Sequence, residues 1–333
     1  MKAVVYDHYG PPDVLRIEEV ARPTPKDEEL LVKIHAATVN RLDVHTREAN
    51  RKSGLFVSAL SRLVSGVRAP RKRILGSEFA GEVVEKGAVV TDFKVGDRVF
   101  GNTGLRFGTH AEFTCVKQSA RIASMPTNAS FEQAAAITDG AFNALWCLRV
   151  GNVHKDQSIL VYGASGAIGT AGVQLARYLG ADVTAVCSTK NLALVKSLGA
   201  DRVIDYTKED FTKNGEKYDA IFDAVGKNTF QHTKGSLKPG GVYLATDGFR
   251  NLLLHFWTQR FGDKKVRFQL PPVYAQKDLL LLKELVETGR FKPVIDRTYP
   301  MEQVVDAARY VETEQKTGNV VLTISDWDST TGP

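Results

Sequence analysis

Gly163, Gly166 and Gly169 recur at intervals of three in VYGASGAIGTAGVQLARYLG, between a β-branched run and a helical one. A glycine turn of this kind lets the backbone reverse tightly. It also aims the N–H groups of a helix start, here around Ala167 and Ile168, at an anion that the helix dipole favours. The stricter dinucleotide pattern has a glycine where Ser165 stands, and the Ser165 hydroxyl can supply a further donor to a pyrophosphate. Alone, the triplet reads equally well as a plain strand–helix turn. Its place between a strand and a helix, with a second strand following, favours the phosphate reading.

A site for NAD carries Asp or Glu about 20 residues further on, where it accepts from the ribose hydroxyls. No acid lies between Val183 and Ala200, and the second strand ends in Cys187-Ser188-Thr189-Lys190. An acid there would repel a 2′-phosphate, whereas Ser188 and Lys190 attract it through charge-assisted hydrogen bonds. Lys190 has the alternative reading of a solvated lysine at a helix start. Tyr206, in VIDYTKED, is placed to cover the adenine or reach the same phosphate. These residues together predict NADPH as the cofactor.

The elements that must hold such a site follow from the pattern of the chain. From 1 to about 125 it is β-rich with frequent turns (MKAVVYD, EELLVKIHAATV, AGEVVEKG, GDRVFG, HAEFTCVK), which predicts a small barrel-like β domain. From about 126 to 294 strands alternate with helices, beginning with SFEQAAAITDGAFNALWCLR as a helix with a start signal at Ser130. This alternation predicts a parallel, doubly wound sheet and an α/β class. After 294 a helix (MEQVVDAARYVE) and a last strand (NVVLTI) return to the first domain. At 333 residues the chain is long enough for two such cores.

Composition narrows the class. A hydrophobic share of 43% with 25% charged residues is that of a globular protein. No run of about 18 uncharged apolar residues is present, and MKAVVYDHYG has no signal-peptide pattern. Three scattered cysteines, Cys115, Cys147 and Cys187, form neither a disulfide framework nor a zinc cluster, so a cytoplasmic setting is expected. The net charge of +6 is concentrated between Arg47 and Arg73, where eight basic residues face only Glu48. Basicity confined in this way does not predict nucleic-acid binding. Within this stretch Leu55, Phe56, Ala59, Leu60, Leu63, Val64 and Val67 recur at helical spacing, and NLLLHFWTQRF at 251–261 is a second apolar and basic run. Both read as covers over a substrate cleft or as a homodimer contact. The alternative, for 51–73 above all, is a patch on an anionic membrane surface.

With these residues assembled, nearly the whole chain resembles the medium-chain dehydrogenase/reductase superfamily, closest to its zinc-independent quinone oxidoreductase and enoyl reductase-like branch. The likeness rests on VNRLDVHTRE at 39–48, ILGSEFAGEVVEKG at 74–87, FKVGDRVFG at 93–101, THAEF at 109–113 and LVYGASGAIG at 160–169. KSLGADRVIDY, DAVG at 223–226, LKPGG at 237–241 and GNVVLTI extend it in the same order. The resemblance implies a GroES-like catalytic domain over 1–125, completed by 295–333, a Rossmann domain over 126–294, and an active site in the cleft. It puts Asp223–Gly226 and Ala245–Gly248, and with them Val225 and Thr246, at strand ends beside the cofactor. Relatives have threonine where this chain has Asn143.

Zinc-dependent members have a cysteine where this chain has Asn40-Arg41 and a Gly-His-Glu triplet where it has Gly76-Ser77-Glu78. Serine is a poor zinc ligand, and Glu78 alone cannot supply the roughly three protein ligands that a catalytic site needs. No metal is expected. Without a Lewis acid, reduction of a quinone or an α,β-unsaturated carbonyl is the less demanding chemistry: hydride attacks the conjugated system and charge develops on oxygen. The resemblance places Asn40 beside the nicotinamide, where its amide can orient an acceptor oxygen; otherwise it caps a turn. Asp43 reads as an acid of the catalytic cleft or as a helix-start acid, and His45 as a proton source or a surface histidine. The alternatives in function are an alcohol or aldehyde dehydrogenase of the same superfamily and a non-catalytic NADPH-binding sensor.

Overall fold

The computed structural model describes residues 1–49, 58, 62–63, 65–246, 248–268 and 273–324. The chain forms two compact units. The first holds 1–138, 279–287 and 295–333; the second holds 139–278 and 288–294.

Seven strands come first: β1 (Lys2–Val5), β2 (Arg16–Glu19), β3 (Glu29–Val39), β4 (Glu78–Lys86), β5 (Arg98–Asn102), β6 (Phe113–Lys117) and β7 (Arg121–Ser124). Six more belong to the second unit: β8 (Ser158–Tyr162), β9 (Asp182–Cys187), β10 (Arg202–Asp205), β11 (Tyr218–Asp223), β12 (Leu237–Ala245) and β13 (Lys265–Arg267). The chain then returns to the first unit with β14 (Ile295–Pro300) and β15 (Asn319–Thr323).

In the first unit a seven-stranded sheet runs β14-β15-β3-β4-β5-β7, with β6 also on β3, and β1 pairs with β2. All pairs are antiparallel except β14 with β15. β3 is its spine. Its sequence ELLVKIHAATV is buried almost without a break, because Leu30, Val32, Ile34 and Ala37 enter a core with Phe79, Val83, Val99 and Ile122. The C-terminal helix Val304–Glu312 turns Val304, Ala307, Ala308 and Val311 into that core at helical spacing.

The short helix Phe131–Ala135 also belongs to this unit, so the unit extends past residue 125 to Thr138. Phe131 packs its ring on His35 and takes Arg98 over its face. Ser130 and Gln133 close the capping box that the sequence signals. The stretch expected as one helix is in fact two, since Thr138–Val150 starts afresh. The break falls where Asn319 Nδ2 donates to the Ala136 carbonyl at 3.2 Å, in place of a helical amide.

The second unit is a six-stranded parallel sheet in the order β10-β9-β8-β11-β12-β13. Its central strands read SILVY and DVTAVC and are buried on both faces, as helices on either side require. The strand order reverses between β8 and β11, so the expected doubly wound sheet is present, with its switch point at the carboxyl ends of those two strands.

The apolar positions Leu55, Phe56, Ala59, Leu60 and Val64 of the basic stretch, with Arg51 and Lys52, lie outside the described residues. Leu63 and Val67 are exposed. Arg47 does not belong to a solvated basic face. Its side chain is 1% exposed, pairs with Glu312 of the C-terminal helix and donates from Nε to the Gly10 carbonyl at 3.1 Å. Arg73 is exposed and bound to Asp7 and Glu18.

Candidate functional site

At the carboxyl edge of the parallel sheet, five neighbouring strands deliver the residues singled out by sequence. Gly163 follows β8, Ser188 follows β9, Tyr206 follows β10, Val225 lies two residues past the end of β11 and Thr246 follows β12. The three glycines have different work. Gly163 has φ of +74°, and a Cβ there would lie 2.5 Å from a methyl of Val225. At Gly169 a Cβ would fall 2.1 Å from the Gly163 carbonyl oxygen, so only glycine lets the helix Ala167–Tyr178 lie this close to the turn. Gly166 is different: a Cβ would meet nothing nearer than 3.7 Å, and the residue caps the helix without a side-chain hydrogen bond. The first N–H groups of the helix, at Ala167, Ile168 and Gly169, lack intrahelical acceptors by construction. Half-buried Ser165 precedes them. Open space in front of free amides at a helix N-terminus fits a pyrophosphate.

Ser188 is half-buried, and its Oγ lies 3.5 Å from Asn191 Nδ2. Lys190 is exposed in the Thr189–Asn191 turn. Tyr206 is 49% exposed and anchored by its amide to the Cys187 carbonyl at 3.1 Å. Its ring centroid is 6.4 Å from that of Tyr162 at the end of β8. Thr246 is half-buried, with Oγ1 3.4 Å from the Asp223 carbonyl. The thiol of Cys187 is pushed up to about 11 by burial and is not a nucleophile at neutral pH.

Two acids take structural roles that the sequence did not show. Asp205 ends β10 opposite Cys187, and its carboxylate accepts from Thr189 Oγ1 at 2.5 Å and from Thr207 Oγ1 and N at 2.7 and 3.0 Å. These bonds, that from Thr189 foremost, hold it down to about 2. It therefore pins the turn bearing Ser188 and Lys190. The signal was the Asp-x-Thr turn in IDYT. Asp223, fully buried, accepts from Val225 N at 3.2 Å, Asn228 N at 2.8 Å and Tyr243 Oη at 3.0 Å. Burial outweighs these donors and raises its pKa. Asn143 donates to the Asp139 carbonyl and accepts from Tyr274 Oη at 2.7 Å.

In the first unit the polar residues converge on Glu78, which is 3% exposed at the start of β4. Thr38 Oγ1 and Asn40 Nδ2 donate to one carboxylate oxygen, each at 2.5 Å. Ser77 Oγ at 2.8 Å and Asn102 Nδ2 at 2.6 Å donate to the other. Asn40 is the N-cap of the helix Arg41–Arg47, its Oδ1 accepting from Leu42 N at 2.8 Å and Asp43 N at 3.3 Å. Asp43 closes the box by accepting from Asn40 N at 2.9 Å, while its other oxygen accepts from Gly76 N at 2.9 Å. Both Asp43 oxygens are thus occupied by backbone amides, and Asn40 keeps one amide hydrogen uncommitted among these bonds. His45 lies half-buried on the same short helix.

The comparisons with known proteins bear on these two sites together. The family description "Alcohol dehydrogenase GroES-like domain" matches residues 26–158, and "Zinc-binding dehydrogenase" matches 198–322. An NADPH-dependent alkenal/one oxidoreductase of Arabidopsis thaliana is 34% identical over 97% of this chain and 79% of that protein. A 2-methylene-furan-3-one reductase of Solanum lycopersicum is 34% identical with the same coverage. The chain belongs to the medium-chain dehydrogenase/reductase superfamily. Among solved structures, the quinone oxidoreductase of Coxiella burnetii superposes with a TM-score of 0.84 at 28% identity, covering 98% of this chain and 99% of that one. The GroES-like and Rossmann folds expected from the sequence are therefore those of the family.

The zinc in one of the matched family descriptions does not suit the donor set here. Among the described residues no group of three or more His, Cys, Asp or Glu side chains is placed to hold a metal ion. The carboxylate of Glu78 is already satisfied by two hydroxyls and two carboxamides, which would have to be abandoned to free it as a ligand.

The Glu78 cluster predicts that the near-isosteric Glu78→Gln replaces an acceptor by a donor facing other donors. It should cost about 2–4 kcal/mol, read by urea unfolding. A change below about 0.5 kcal/mol would mean that the four donors do not depend on the charge. The glycine turn predicts a contrast in the same assay. Gly169→Ala must displace backbone and should cost about 1–3 kcal/mol, whereas Gly166→Ala should cost less than about 1 kcal/mol. Equal losses would refute the different roles given to the two glycines.

Proposed function

We propose that this chain is an NADPH-dependent oxidoreductase that reduces quinones or α,β-unsaturated carbonyls by direct hydride transfer. The observation that carries the reading is the set of groups at the carboxyl edge of the parallel sheet. An open glycine-capped helix start stands beside a hydroxyl and an ammonium, at the place where a carboxylate would select NAD. The relatives are named for alkenals and enones, for a methylene-furanone and for quinones, and conjugation is common to all three.

The amides of Ala167, Ile168 and Gly169, with the Ser165 hydroxyl, hold the pyrophosphate in this reading, and Gly163 and Gly166 leave the space in front of them open. Ser188 and Lys190 bind the 2′-phosphate, with Asp205 fixing their turn through Thr189. Tyr206 covers the adenine, and Val225 and Thr246 line the path from the switch point. The bound cofactor supplies a hydride to the conjugated acceptor. Charge that develops on the acceptor oxygen is met by the remaining amide hydrogen of Asn40, whose carboxamide is clamped by Glu78 on one side and the helix start on the other. Asp43 is buried and each of its oxygens accepts from a backbone amide, so in this reading it clamps that helix start.

We assign the first unit, 1–138 with 279–287 and 295–333, as the catalytic domain and the second, 139–278 with 288–294, as the NADP-binding domain, in place of the boundaries at 125 and 294 expected from the sequence. We further assign a metal-free reaction, a homodimer and a cytoplasmic setting. No helix among the described residues is long and apolar enough to cross a membrane.

The test is NADPH consumption by protein of measured metal content across quinones, enones, enals and simple aldehydes. Turnover of the conjugated acceptors alone, unaffected by chelation, is the expected result. Silence across the panel despite cofactor binding would turn the assignment to a sensor, and stoichiometric zinc lost together with activity would turn it to an alcohol or aldehyde dehydrogenase. Replacing both Ser188 and Lys190 by alanine should weaken NADPH by roughly 10- to 100-fold and NADH far less. Parallel loss of both affinities in a titration would sink the 2′-phosphate assignment.

A further inference from the structure

The helix Phe249–Arg260 of the second unit is apolar on two sides. Leu252 and Leu254 face the core of the sheet, and Thr258 is buried against β13, its Oγ1 accepting from Val266 N at 2.9 Å. His255 Nδ1 and Gln259 Nε2 both reach the Val266 carbonyl, at 3.1 and 3.4 Å. The inward side of the helix is therefore firmly held. On the outward side Leu253, Phe256, Trp257 and Phe261 recur at i, i+3, i+4 and i+8, and they are 58%, 66%, 62% and 53% exposed. The rings of Trp257 and Phe261 touch, tilted by 39° with 4.6 Å between centroids, which joins them in one apolar ridge. A surface helix ordinarily turns polar residues outward. Four large apolar side chains together on one exposed ridge mark a surface that something covers.

The charge around the ridge indicates what covers it. Between Thr246 and Gln276 five Lys and Arg stand against Asp247 and Asp263. Arg250 and Arg260 are exposed at the two ends of the helix. Lys264 donates to the Lys234 carbonyl at 2.8 Å, Lys265 to the carbonyls of Thr258 and Gly262 at 2.7 and 2.9 Å, and Arg267 to Gln259 Oε1 at 2.8 Å. These acceptors are neutral, so the cationic charge stays uncompensated at the margin of the ridge. A second copy of the chain would set this positive patch against itself. An anionic lipid surface matches both parts at once: acyl chains take the aromatic ridge, and headgroups take the Lys and Arg that border it.

We propose that the Phe249–Arg260 helix is a peripheral docking surface for anionic phospholipid, which would bring the cofactor unit to a bilayer in which apolar acceptors dissolve. The docking itself is independent of the assigned reaction.

The experiment uses the full chain with vesicles of phosphatidylcholine, with or without phosphatidylglycerol. Co-sedimentation and the emission maximum of Trp257, assigned with Trp257→Phe against Trp146 and Trp327, report binding. The expected result is sedimentation and a blue shift with the anionic vesicles only, weakened by salt. Phe256→Ser with Trp257→Ser should lower partitioning by roughly tenfold or more, with NADPH affinity unchanged. Arg260→Glu with Lys264→Glu tests the charge without touching the ridge and should abolish the preference for anionic lipid. The absence of sedimentation, or equal binding to both vesicles, overturns the proposal. So does a dimer that becomes a monomer on substitution of Trp257, which would make the ridge an interface between copies, or sedimentation that neither double variant weakens.

Discussion

One carbonyl oxygen, that of Gly163, sets how the second unit presents its chemistry. It occupies the space that any side chain at position 169 would need. The helix Ala167–Tyr178 can therefore begin directly against the end of β8, with its free amides at the switch point of the sheet. Val225 fills the space on the other side of the same turn. That valine is held in place by Asp223, whose carboxylate accepts from the amides of Val225 and Asn228. Burying Asp223 raises its pKa, so the donors around it offset its desolvation only in part. The loop is ordered by a group that would be unfavourable anywhere else in the core.

The first unit solves the same physical problem twice more. Glu78 is buried with four side-chain donors, and Arg47 with Glu312, Glu48 and a backbone carbonyl. Each charge has partners far away in sequence besides an adjacent one, so each acts as a fastener between segments. The Glu78 cluster draws together β3, β4, β5 and the start of the Arg41–Arg47 helix, and the Arg47 pair ties that helix to the C-terminal one. A buried charge contributes little net stability but strongly disfavours arrangements in which its partners are missing. Asn40, whose amide belongs both to the Glu78 cluster and to the helix cap, is placed by these constraints more narrowly than by hydrophobic packing alone.

What could be read from the sequence was whatever is local. The doubly wound sheet, the glycine turn, the Ser130 start signal and the missing acid after β9 all depend on residues within about 20 positions of one another. What could not be read depends on pairs distant in the chain. Asp43 reads as an acid of the cleft or a helix-start acid, and the sequence does not show that Gly76, remote along the chain, donates to it. Arg47 sits in a run of basic residues and looks solvated, yet its partner lies in the C-terminal helix. The helix predicted from Ser130 onward breaks at a point where Asn319, far along the chain, donates to the Ala136 carbonyl. Asp205 belongs to the next strand, and only parallel pairing sets it opposite Cys187 and against Thr189.

The carboxylates nearest the proposed chemistry share one property, and it bears on the kind of reaction the protein can support. Asp43, Glu78, Asp205 and Asp223 all have their oxygens engaged as acceptors, from backbone amides, hydroxyls or carboxamides. A general acid or base needs an oxygen that can exchange a proton with the reacting group. These four are instead committed to holding other residues still. The polar groups left to act on a ligand are donors: helix amides, serine hydroxyls, an ammonium and the remaining hydrogen of a carboxamide. A set of donors suits negative charge, first on phosphates and second, in the proposed reaction, on a developing oxyanion. Hydride delivered to a conjugated acceptor generates that second charge without asking any side chain to act first as a base.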